Sequence, residues 1–523
     1  MNDPPNVTST LIRPARTPGH SLDQLAGFLG LPADPAWSAC HVTGIIHAAQ
    51  AVRPGDLFVA MGGQHAHGAD FLASAVAAGA VAVLTDPEGA QRISCVQPSL
   101  DLPVLVVPQP RTQLGQLAAQ VYGEPSRDLL VIGITGTNGK TTTTWMAEAG
   151  LRAAGHATGL VSTVETRIRN SSMPSARTTP EATDLQALFA VMREHDVTAA
   201  VMEVSSHALS LGRVNGTCYR VAVFTNLSQD HLDYHADMES YFAAKAQLFT
   251  PARCRAGVIN LDDPYGRRLA GTTRAPVTTF SITGDSAADW RADQVTLGPA
   301  GSTFRITGPT GVVTPVSIRL PGLFNVANAV AAIVALVTAE VKLSDAVNGV
   351  AALPGVPGRM ESIDAGQPFL AVVDYAHTPD AVTTVLTALR RITPRRLYVV
   401  LGCGGDRDAT KRPLMGAAAA QLADVAILTN DNPRSEDPHV ILAAIRAGAH
   451  TVPADHRAQL VVEPDRDQAI AFAVSRAEAG DTVLIAGKGH EQGQQAHGVT
   501  RSFDDRTVVR QAITRDMTPE ARG

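Results

Sequence analysis

The chain lacks the sequence features of membrane, secreted and nucleic-acid-binding proteins. Its five cysteines are scattered without a CxxC pair, so we expect neither a disulfide framework nor a zinc site. No apolar run reaches the roughly 18 residues of a membrane span, and residues 1–20 lack the apolar core of a signal peptide. The net charge of −6 and the absence of a basic run argue against binding to nucleic acid. We therefore expect a cytoplasmic protein with a loose tail over residues 1–20.

Length and composition predict a chain of packed α/β domains. The apolar fraction of 45% and the charged fraction of 18% are ordinary for globular domains, and 523 residues suggest about three of them. Alternating strand and helix patterns predict a central domain with a parallel sheet and a C-terminal Rossmann-like domain, preceded by a smaller α/β domain. The predicted domains are residues 1–128, 129–352 and 353–523, with a hinge in the proline- and glycine-rich segment 351–358.

Residues 135–142, Thr-Gly-Thr-Asn-Gly-Lys-Thr-Thr, indicate ATP binding. They follow an apolar run at 129–134 and precede a predicted helix at 143–154. A strand, a glycine turn and a helix in this order direct backbone N–H groups towards phosphates. Lys140 would then reach the β- and γ-phosphates, and the hydroxyl of Thr141 would bind Mg²⁺. The predicted ATP-loop contacts are Gly136, Thr137, Asn138, Gly139, Lys140, Thr141 and Thr142.

The glycine spacing of this loop departs from the strict P-loop pattern. Ile134 stands where that pattern requires a glycine, and the glycines lie instead at Gly133 and Gly136. A glycine-rich turn with an unrelated lysine is therefore the competing interpretation. The position of the loop between a strand and a helix favours ATP binding.

Three further residues indicate chemistry beside the loop. Glu203 ends a predicted strand, where a carboxylate can bind Mg²⁺, although it could also cap a helix. His231 lies in the polar segment 224–235; alone, it would more often be a structural histidine than a metal ligand. Lys245 lies in the otherwise apolar helix 241–249, where a surface lysine is the ordinary expectation. A buried amine would instead be nucleophilic and could take up CO₂ as a carbamate.

In sequence and in order, these motifs resemble those of the Mur ligase family, over residues 42–508. The resemblance implies an ATP-dependent amide-bond-forming ligase with Mg²⁺ as cofactor. It implies that Lys245, as a carbamate, and His231 share one Mg²⁺, whereas Glu203 and Thr141 serve another. By the same resemblance, the remaining nucleotide contacts are Asn325 and Asn328 (adenine), Arg359 (phosphates) and Asp374 (ribose).

The substrates that the resemblance implies are UDP-N-acetylmuramoyl-L-alanyl-D-glutamate and meso-diaminopimelate. Family matches to the first substrate are Thr178, Thr179, Ser205 and Arg213. The distal carboxylate of diaminopimelate suits the arginine fork of Arg434, and its distal ammonium suits Glu491, Asn432 and the Gly487 carbonyl. The lysine-adding relatives lack the Asp-Asn-Pro-Arg motif, which lies here at residues 431–434. Lysine has no distal carboxylate, so it would leave the arginine of this motif unpaired. The predicted diaminopimelate contacts are Arg407, Asp431, Asn432, Pro433, Arg434, Gly487 and Glu491.

One departure from the family lies at Ala48, Ala49 and Gln50, where an Asp-Ser-Arg triplet normally occurs beside the uridine site. Losing one neutral hydrogen bond would weaken the site about tenfold at most. The departure could be tolerated, or it could indicate an acceptor without a UDP group. A folylpolyglutamate-type ligase and a catalytically silent ATP-binding paralogue are further alternatives. We expect small-molecule substrates, no nucleic-acid or membrane partner, and a monomer.

Overall fold

The structure is a computed structural model that describes residues 12–32, 34–63, 65–96 and 101–517. Residues 1–11 of the predicted loose tail lie outside the described part. From Arg13 onward the prediction of a loose tail is wrong, because the guanidinium of Arg13 forms an ion pair with Asp56 at 2.9 Å. Both side chains are nearly buried, at 7% and 5% exposure, and a short strand follows at His20–Ser21. A buried ion pair fixes the segment against the first sheet.

The first part of the chain forms a four-stranded parallel sheet in the order β3-β4-β5-β6. Helices α1 and α4 cover one face, and α2 and α3 cover the other. The strands of this sheet are β3 (Gly44–Ile46), β4 (Asp56–Ala60), β5 (Ala82–Thr85) and β6 (Val104–Val106). The strands β1 (His20–Ser21) and β2 (His41–Val42) form a separate antiparallel pair. The helices are α1 (Leu22–Phe28), α2 (Leu72–Ala77), α3 (Pro87–Val96) and α4 (Pro110–Val121), with 3₁₀ turns at Pro35–Ala39, Ala49–Ala51, Gly68–Phe71 and Pro125–Arg127.

The central part forms an 11-stranded mixed sheet in the order β10-β9-β8-β11-β7-β12-β13-β14-β15-β16-β17, parallel from β8 to β15. Its strands are β7 (Leu130–Thr135), β8 (Thr158–Val161), β9 (Glu165–Ile168), β10 (Ser171–Pro174), β11 (Ala199–Glu203), β12 (Tyr219–Phe224), β13 (Cys254–Asn260), β14 (Val277–Ser281), β15 (Trp290–Gly298), β16 (Gly301–Thr307) and β17 (Val313–Ile318). Its helices are α5 (Lys140–Ala153), α6 (Ala182–Glu194), α7 (Ser206–Ser210), α8 (Met238–Ala246), α9 (Pro264–Thr272), α10 (Leu323–Thr338) and α11 (Leu343–Ala352), with a 3₁₀ turn at Gln247–Phe249.

The two faces of the central sheet follow from the alternation of side chains along each strand. In β7, Ile132 and Ile134 belong to the core formed with α5 and α10, whereas Val131 belongs to the core formed with α6 and α8. Both faces are apolar because helices cover both, as expected for a mainly parallel sheet. The polar residues that leave the strands therefore gather at the carboxyl edge of the sheet.

The last part forms a six-stranded sheet in the order β18-β19-β23-β20-β21-β22. Helices α12 and α13 cover one face, and α15 and α16 cover the other. The strands of this sheet are β18 (Glu361–Ser362), β19 (Leu370–Asp374), β20 (Leu397–Leu401), β21 (Val425–Leu428), β22 (Gln459–Val462) and β23 (Thr482–Ala486). The strands β24 (Gly493–Ala496) and β25 (Val499–Ser502) form a separate antiparallel pair. The helices are α12 (Pro379–Arg390), α13 (Lys411–Leu422), α14 (Pro438–Ala449), α15 (Arg466–Arg476) and α16 (Asp505–Met517).

Within the described residues, no helix combines the length and apolar character required to cross a membrane.

Candidate active site

The loop between β7 and α5 has the backbone of a phosphate-binding turn. Gly136 and Gly139 adopt φ values of 151° and 85°, a region that favours glycine. A Cβ at Gly139 would lie 2.3 Å from Oδ1 of Asn328, and one at Gly136 would lie 1.9 Å from Oγ1 of Thr225. Helix α5 begins at Lys140, three residues before the predicted start, because Gly139 serves as its N-cap. The loop can therefore approach a ligand closely with its N–H groups.

Lys140 points across this loop. Its ammonium donates hydrogen bonds to the carbonyl oxygens of Gly136 at 2.9 Å and Thr137 at 2.8 Å. Burial lowers the pKa of Lys140 below its ordinary value, while Glu203 and Asp230 act in the opposite direction. These carboxylates favour retention of the cation that a phosphate chain requires.

Glu203 ends β11, immediately beside β7 in the sheet, and is 1% exposed. The Oε1 atom accepts the backbone N–H of Thr163 at 2.7 Å, and Oε2 lies 3.1 Å from the Thr163 hydroxyl. Thr163 thus holds the carboxylate in one orientation. Each oxygen keeps a second lone pair for a cation.

His231 lies in the loop after β12, on the other side of β7. Its φ of 55° is left-handed, and its Nε2 lies 3.3 Å from the Asp230 carboxylate. The ring lies edge-on to His207, with centroids 4.8 Å apart. Burial lowers the pKa of His231 to about 4, although Asp230 opposes the shift. The neutral imidazole is the form that can bind a metal ion.

Lys245, in α8, is 1% exposed. Its amine donates to the carbonyl oxygen of Gly136 at 2.8 Å and lies 4.6 Å from the centroid of the Tyr241 ring. Burial lowers the pKa of Lys245 well below its ordinary value, and the nearby cation Lys140 acts in the same direction. The ordinary expectation of a surface lysine is wrong, because α8 turns this side chain towards the ATP loop. A neutral, nucleophilic amine is favoured here.

The donor groups around this loop suit Mg²⁺ bound together with phosphates. Within the described part of the chain, no group of three or more histidine, cysteine, aspartate or glutamate side chains could hold a metal ion. Mg²⁺ sites commonly use one or two carboxylates and complete the shell with phosphate oxygens and water. Thr141, Glu203, His231 and Lys245 all line one cavity, so the residues present fit a shared protein–nucleotide site.

The predicted adenine, ribose and phosphate contacts come from α10 and from the segment after the hinge. Asn328 accepts the Thr143 hydroxyl at 3.3 Å and donates to Asn325 at 3.2 Å. Arg359 donates to the Thr141 hydroxyl at 3.1 Å and lies over the Tyr375 ring, 4.4 Å from its centroid.

Asp374, at the end of β19, accepts the backbone N–H groups of Met360 at 2.7 Å and Ala376 at 2.8 Å. Burial raises its pKa, whereas Arg359 and these two hydrogen bonds oppose the rise. The contacts fix the carboxylate at the edge of the cavity.

The predicted muramyl-peptide contacts, Thr178, Thr179, Ser205 and Arg213, line the same cavity. Thr179 donates to the Glu203 carbonyl at 3.0 Å and accepts the N–H of Ser205 at 3.1 Å. Thr178 lies 3.1 Å from the Thr163 hydroxyl, and Arg213 pairs with Glu181 at 3.0 Å.

A cavity of about 700 Å³ unites these two sets of residues. Residues that the sequence did not predict as site residues also line this cavity. The predicted residues along its wall are Thr137, Asn138, Gly139, Lys140, Thr141, Thr142, Thr178, Thr179, Glu203, Ser205, Arg213, His231, Lys245, Asn325, Asn328, Arg359 and Asp374. Gly136 does not line the cavity but contributes its carbonyl oxygen to Lys140 and Lys245.

A second cavity, of about 650 Å³, adjoins the first, because Thr163 lines both. Asn432, Arg434 and Glu491 lie along its wall. Asn432 and Arg434 follow β21, and Glu491 follows β23. These two strands flank β20 in the sheet.

The other predicted diaminopimelate contacts do not line the second cavity. Asp431 and Pro433 are buried beside the wall, and Gly487 approaches Asp431 closely. Arg407 is exposed in the loop after β20. Their predicted contacts with the ligand remain predictions.

The segment that departs from the family forms part of the first sheet's surface. Ala49 begins a 3₁₀ turn, where Ala48 and Ala49 pack against the apolar layer beneath α2, while Gln50 is exposed. These residues line neither of the two cavities. The neighbouring His47 lies 3.3 Å from the Thr183 hydroxyl of α6 and so links the first sheet to the central part.

Two residues of the first cavity carry no sequence signal that marks a site. Thr163 follows β8 outside any glycine or carboxylate motif. Asp380 lies in the first turn of α12, where an acidic residue is ordinary, and yet it accepts hydrogen bonds from Asn138 and Ser228, both at 2.8 Å. Only the tertiary structure brings these side chains to the ATP loop.

Comparison with known proteins supports the family resemblance that the motifs indicate. Three family models match: Mur ligase family, catalytic domain (41–122), Mur ligase middle domain (134–336), and Mur ligase, glutamate ligase domain (358–489). A Streptomyces coelicolor protein, UDP-N-acetylmuramoyl-L-alanyl-D-glutamate–2,6-diaminopimelate ligase, is 58% identical over 501 residues, covering 96% of this chain and 98% of that protein. The chain belongs to the Mur ligase family.

Further comparisons of this Mur ligase cover most of its length. A Corynebacterium efficiens protein of the same name is 49% identical over 463 residues, which cover 87% of each chain. A solved structure of a ligase of that name superimposes with a TM-score of 0.68 at 34% identity, covering 95% of this chain and 99% of the other. The resemblance, the three-domain α/β fold and the assignment as an ATP-dependent amide-bond-forming ligase are confirmed.

Proposed function

We propose that this Mur ligase joins meso-diaminopimelate to the D-glutamyl γ-carboxylate of UDP-N-acetylmuramoyl-L-alanyl-D-glutamate, at the expense of ATP, in peptidoglycan precursor synthesis. The observation that carries the proposal is the pair of adjoining cavities that share Thr163. The first holds the ATP loop together with the predicted muramyl-peptide contacts, and the second holds Arg434 and Glu491. The 58% identity to a ligase of this name supports the same assignment.

In the first cavity, the γ-carboxylate attacks the γ-phosphoryl group of ATP, which gives an acyl phosphate and ADP. Lys140 and Arg359 are the cations that neutralise the transferring group. Bound Mg²⁺ would neutralise further phosphate charge, with Thr141 and Glu203 at one ion and His231 and Lys245 at the other.

The proposed role of Lys245 requires it to be a carbamate. The side chain is buried, its pKa is lowered, and it lies beside Gly136 of the ATP loop. A neutral amine adds to CO₂ and releases one proton, which leaves an anionic carboxylate-like group. That anion would suit a hard cation, whereas a buried ammonium would repel it.

In the second cavity, Arg434 binds the distal carboxylate of diaminopimelate, and Glu491 binds its distal ammonium, with Asn432 holding the Glu491 carboxylate by a hydrogen bond. The reacting amine of the same molecule attacks the acyl carbon, and phosphate leaves. Because acyl phosphates hydrolyse readily, residues 353–523 should close about the hinge at 351–358 and exclude water.

The proposed division of labour follows the three parts of the chain. Residues 1–128 bind the UDP end of the acceptor, residues 129–352 bind ATP, and residues 353–523 bind the amino acid. The substrates are small molecules present in the cytoplasm, where we propose that the enzyme acts as a monomer.

The test is phosphate release by the full-length protein with ATP, Mg²⁺ and the UDP-muramyl dipeptide, with either meso-diaminopimelate or L-lysine. We expect release that depends on diaminopimelate and is not supported by lysine. Lys140→Ala provides the control, because it removes the phosphate-binding cation from the loop. Equal release with both amino acids would contradict the proposed selection by Arg434.

A second candidate keeps the chemistry and changes the acceptor. It rests on Ala49, which supplies no hydroxyl where the family has a serine beside the uridine site. ATP binding without release in the presence of either amino acid would favour this candidate over the first.

A further inference from the structure

Lys488 is a fully buried lysine at the second cavity, and the reaction proposed above assigns it no role. It lies in the turn after β23 and is 0% exposed. The glycines on either side have positive φ values, 116° at Gly487 and 53° at Gly489. This glycine-flanked backbone turns the lysine side chain inward. Because lysine is almost never fully buried unless it is paired, its partners indicate what it does.

The ammonium of Lys488 contacts two residues of the predicted diaminopimelate set. Its Nζ donates to Oδ1 of Asn432 at 3.0 Å and to Oε2 of Glu491 at 3.2 Å. Asn432 and Glu491 line the second cavity, and Lys488 does not. Any influence of Lys488 on a ligand in that cavity would therefore act through these two side chains.

The contacts of Asn432 fix the orientation of its amide. Its Oδ1 accepts from Lys488 and also from the backbone N–H of Gln495 at 3.0 Å. An exchanged amide would direct its N–H groups at two donors, so the oxygen must occupy this position. The amide nitrogen then donates to Oε2 of Glu491 at 2.9 Å.

Lys488, Asn432 and Glu491 thus form a closed triangle of hydrogen bonds. Two donors occupy Oε2 of Glu491, while Oε1 accepts no hydrogen bond from any described residue. One oxygen is anchored, and the other is left for a donor on the ligand.

We propose that Lys488 is a positioning residue for the incoming amino acid, which holds the Asn432 amide in place and, together with it, directs the Glu491 carboxylate towards the distal ammonium. This inference rests on the proposed function of the second cavity. It assigns no contact between Lys488 and the substrate. Preorganised charged acceptors bind more tightly because less ordering is required on binding.

The test measures KM for each of the three substrates in the full-length enzyme. With Lys488→Met, we expect the KM for meso-diaminopimelate to rise by about tenfold or more, as for the loss of a charge-assisted hydrogen bond. The KM values for ATP and the UDP-muramyl dipeptide should change by less than about twofold, because Lys488 lies beside the second cavity only. If Lys488→Met is recovered unfolded, Lys488→Gln retains a donor without the charge and serves the same comparison.

A double-mutant cycle separates positioning from general stability. If Lys488 acts through Glu491, adding Lys488→Met to Glu491→Gln should raise the KM for diaminopimelate by less than about twofold beyond Glu491→Gln alone. Val474→Ala is the matched control: it removes packing from the buried core between the same sheet and α15, and Val474 lines neither cavity. It should lower the unfolding temperature without raising that KM selectively.

Two outcomes would overturn the inference while leaving the proposed function intact. One is an equal change in all three KM values with Lys488→Met. The other is the same fold-change whether or not Glu491 is present. If the unaltered enzyme releases no phosphate in response to diaminopimelate, the proposed function itself fails, and the inference fails with it.

Discussion

Arg466 and Asp505 form a buried ion pair behind the second cavity, and its loss has a predictable magnitude. Both side chains are 0% exposed, and two parallel hydrogen bonds of 2.7 Å join them. The same guanidinium donates to the Ala486 carbonyl at 3.0 Å and approaches the Asn430 carbonyl at 3.5 Å. Asn430 and Ala486 immediately precede Asp431 and Gly487, which begin the two segments predicted to bind diaminopimelate. The ion pair therefore joins α15 and α16 to both of these segments.

Asp505→Leu leaves the Arg466 cation buried without its carboxylate. Breaking a buried ion pair from one side costs about 3–5 kcal/mol. For a folding unit the size of residues 353–523, we expect the unfolding temperature to fall by about 6–20 °C. Replacing both partners, as in Arg466→Met/Asp505→Leu, removes the uncompensated charge and should recover most of that loss.

Differential scanning calorimetry of the full-length variants measures these shifts. The chain has several parts, so the comparison is between corresponding transitions rather than a single two-state unfolding. The double variant should also show a raised KM for diaminopimelate, because the carbonyls of Asn430 and Ala486 lose their common donor. A single variant within about 3 °C of the unaltered protein, or a double variant no more stable than the single one, would refute the reasoning.

Substitutions at three further positions test the first cavity and the acceptor site. Lys245→Ala should lower phosphate release by about a hundredfold or more, with partial recovery by an added short carboxylate; full turnover without it would contradict the carbamate. Asp380→Ala should raise the KM for ATP by less than about fivefold, because its contacts with Asn138 and Ser228 are solvent-exposed. Asp380→Asn should have a smaller effect, and an unchanged KM in both would show that the contacts do not matter. Ala49→Ser should lower the KM for the UDP-muramyl dipeptide by up to about tenfold; no change would argue against a uridine contact there.

The parts of the fold that the sequence predicted well are those determined by local pattern. Apolar runs bounded by polar or glycine residues marked the strands β7 and β11, because a parallel strand covered on both sides must be apolar on both faces. Their polar successors were recognisable since open α/β sheets place such residues at the carboxyl edge. The departure at Ile134 has a local cause as well: this side chain is buried within β7, and the turn begins only at Gly136.

Long-range contacts could not be predicted in this way. Asp380 reaches Asn138 across 242 positions of sequence, and Lys488 reaches Asn432 across 56. In both cases the residue type is compatible with an ordinary role, as a helix-terminal carboxylate or a loop lysine. The tail at Arg13 was misjudged for the same reason, since polar composition does not reveal a buried partner such as Asp56.

Thr163 shows why such residues matter to the proposed reaction. Its backbone and hydroxyl orient Glu203, and its hydroxyl lies 3.1 Å from Thr178. Because Thr163 also borders both cavities, it lies where a phosphorylated acceptor in the first would meet an amine from the second. The orientation of Glu203 therefore depends on the turn between β8 and β9, which no sequence motif marks.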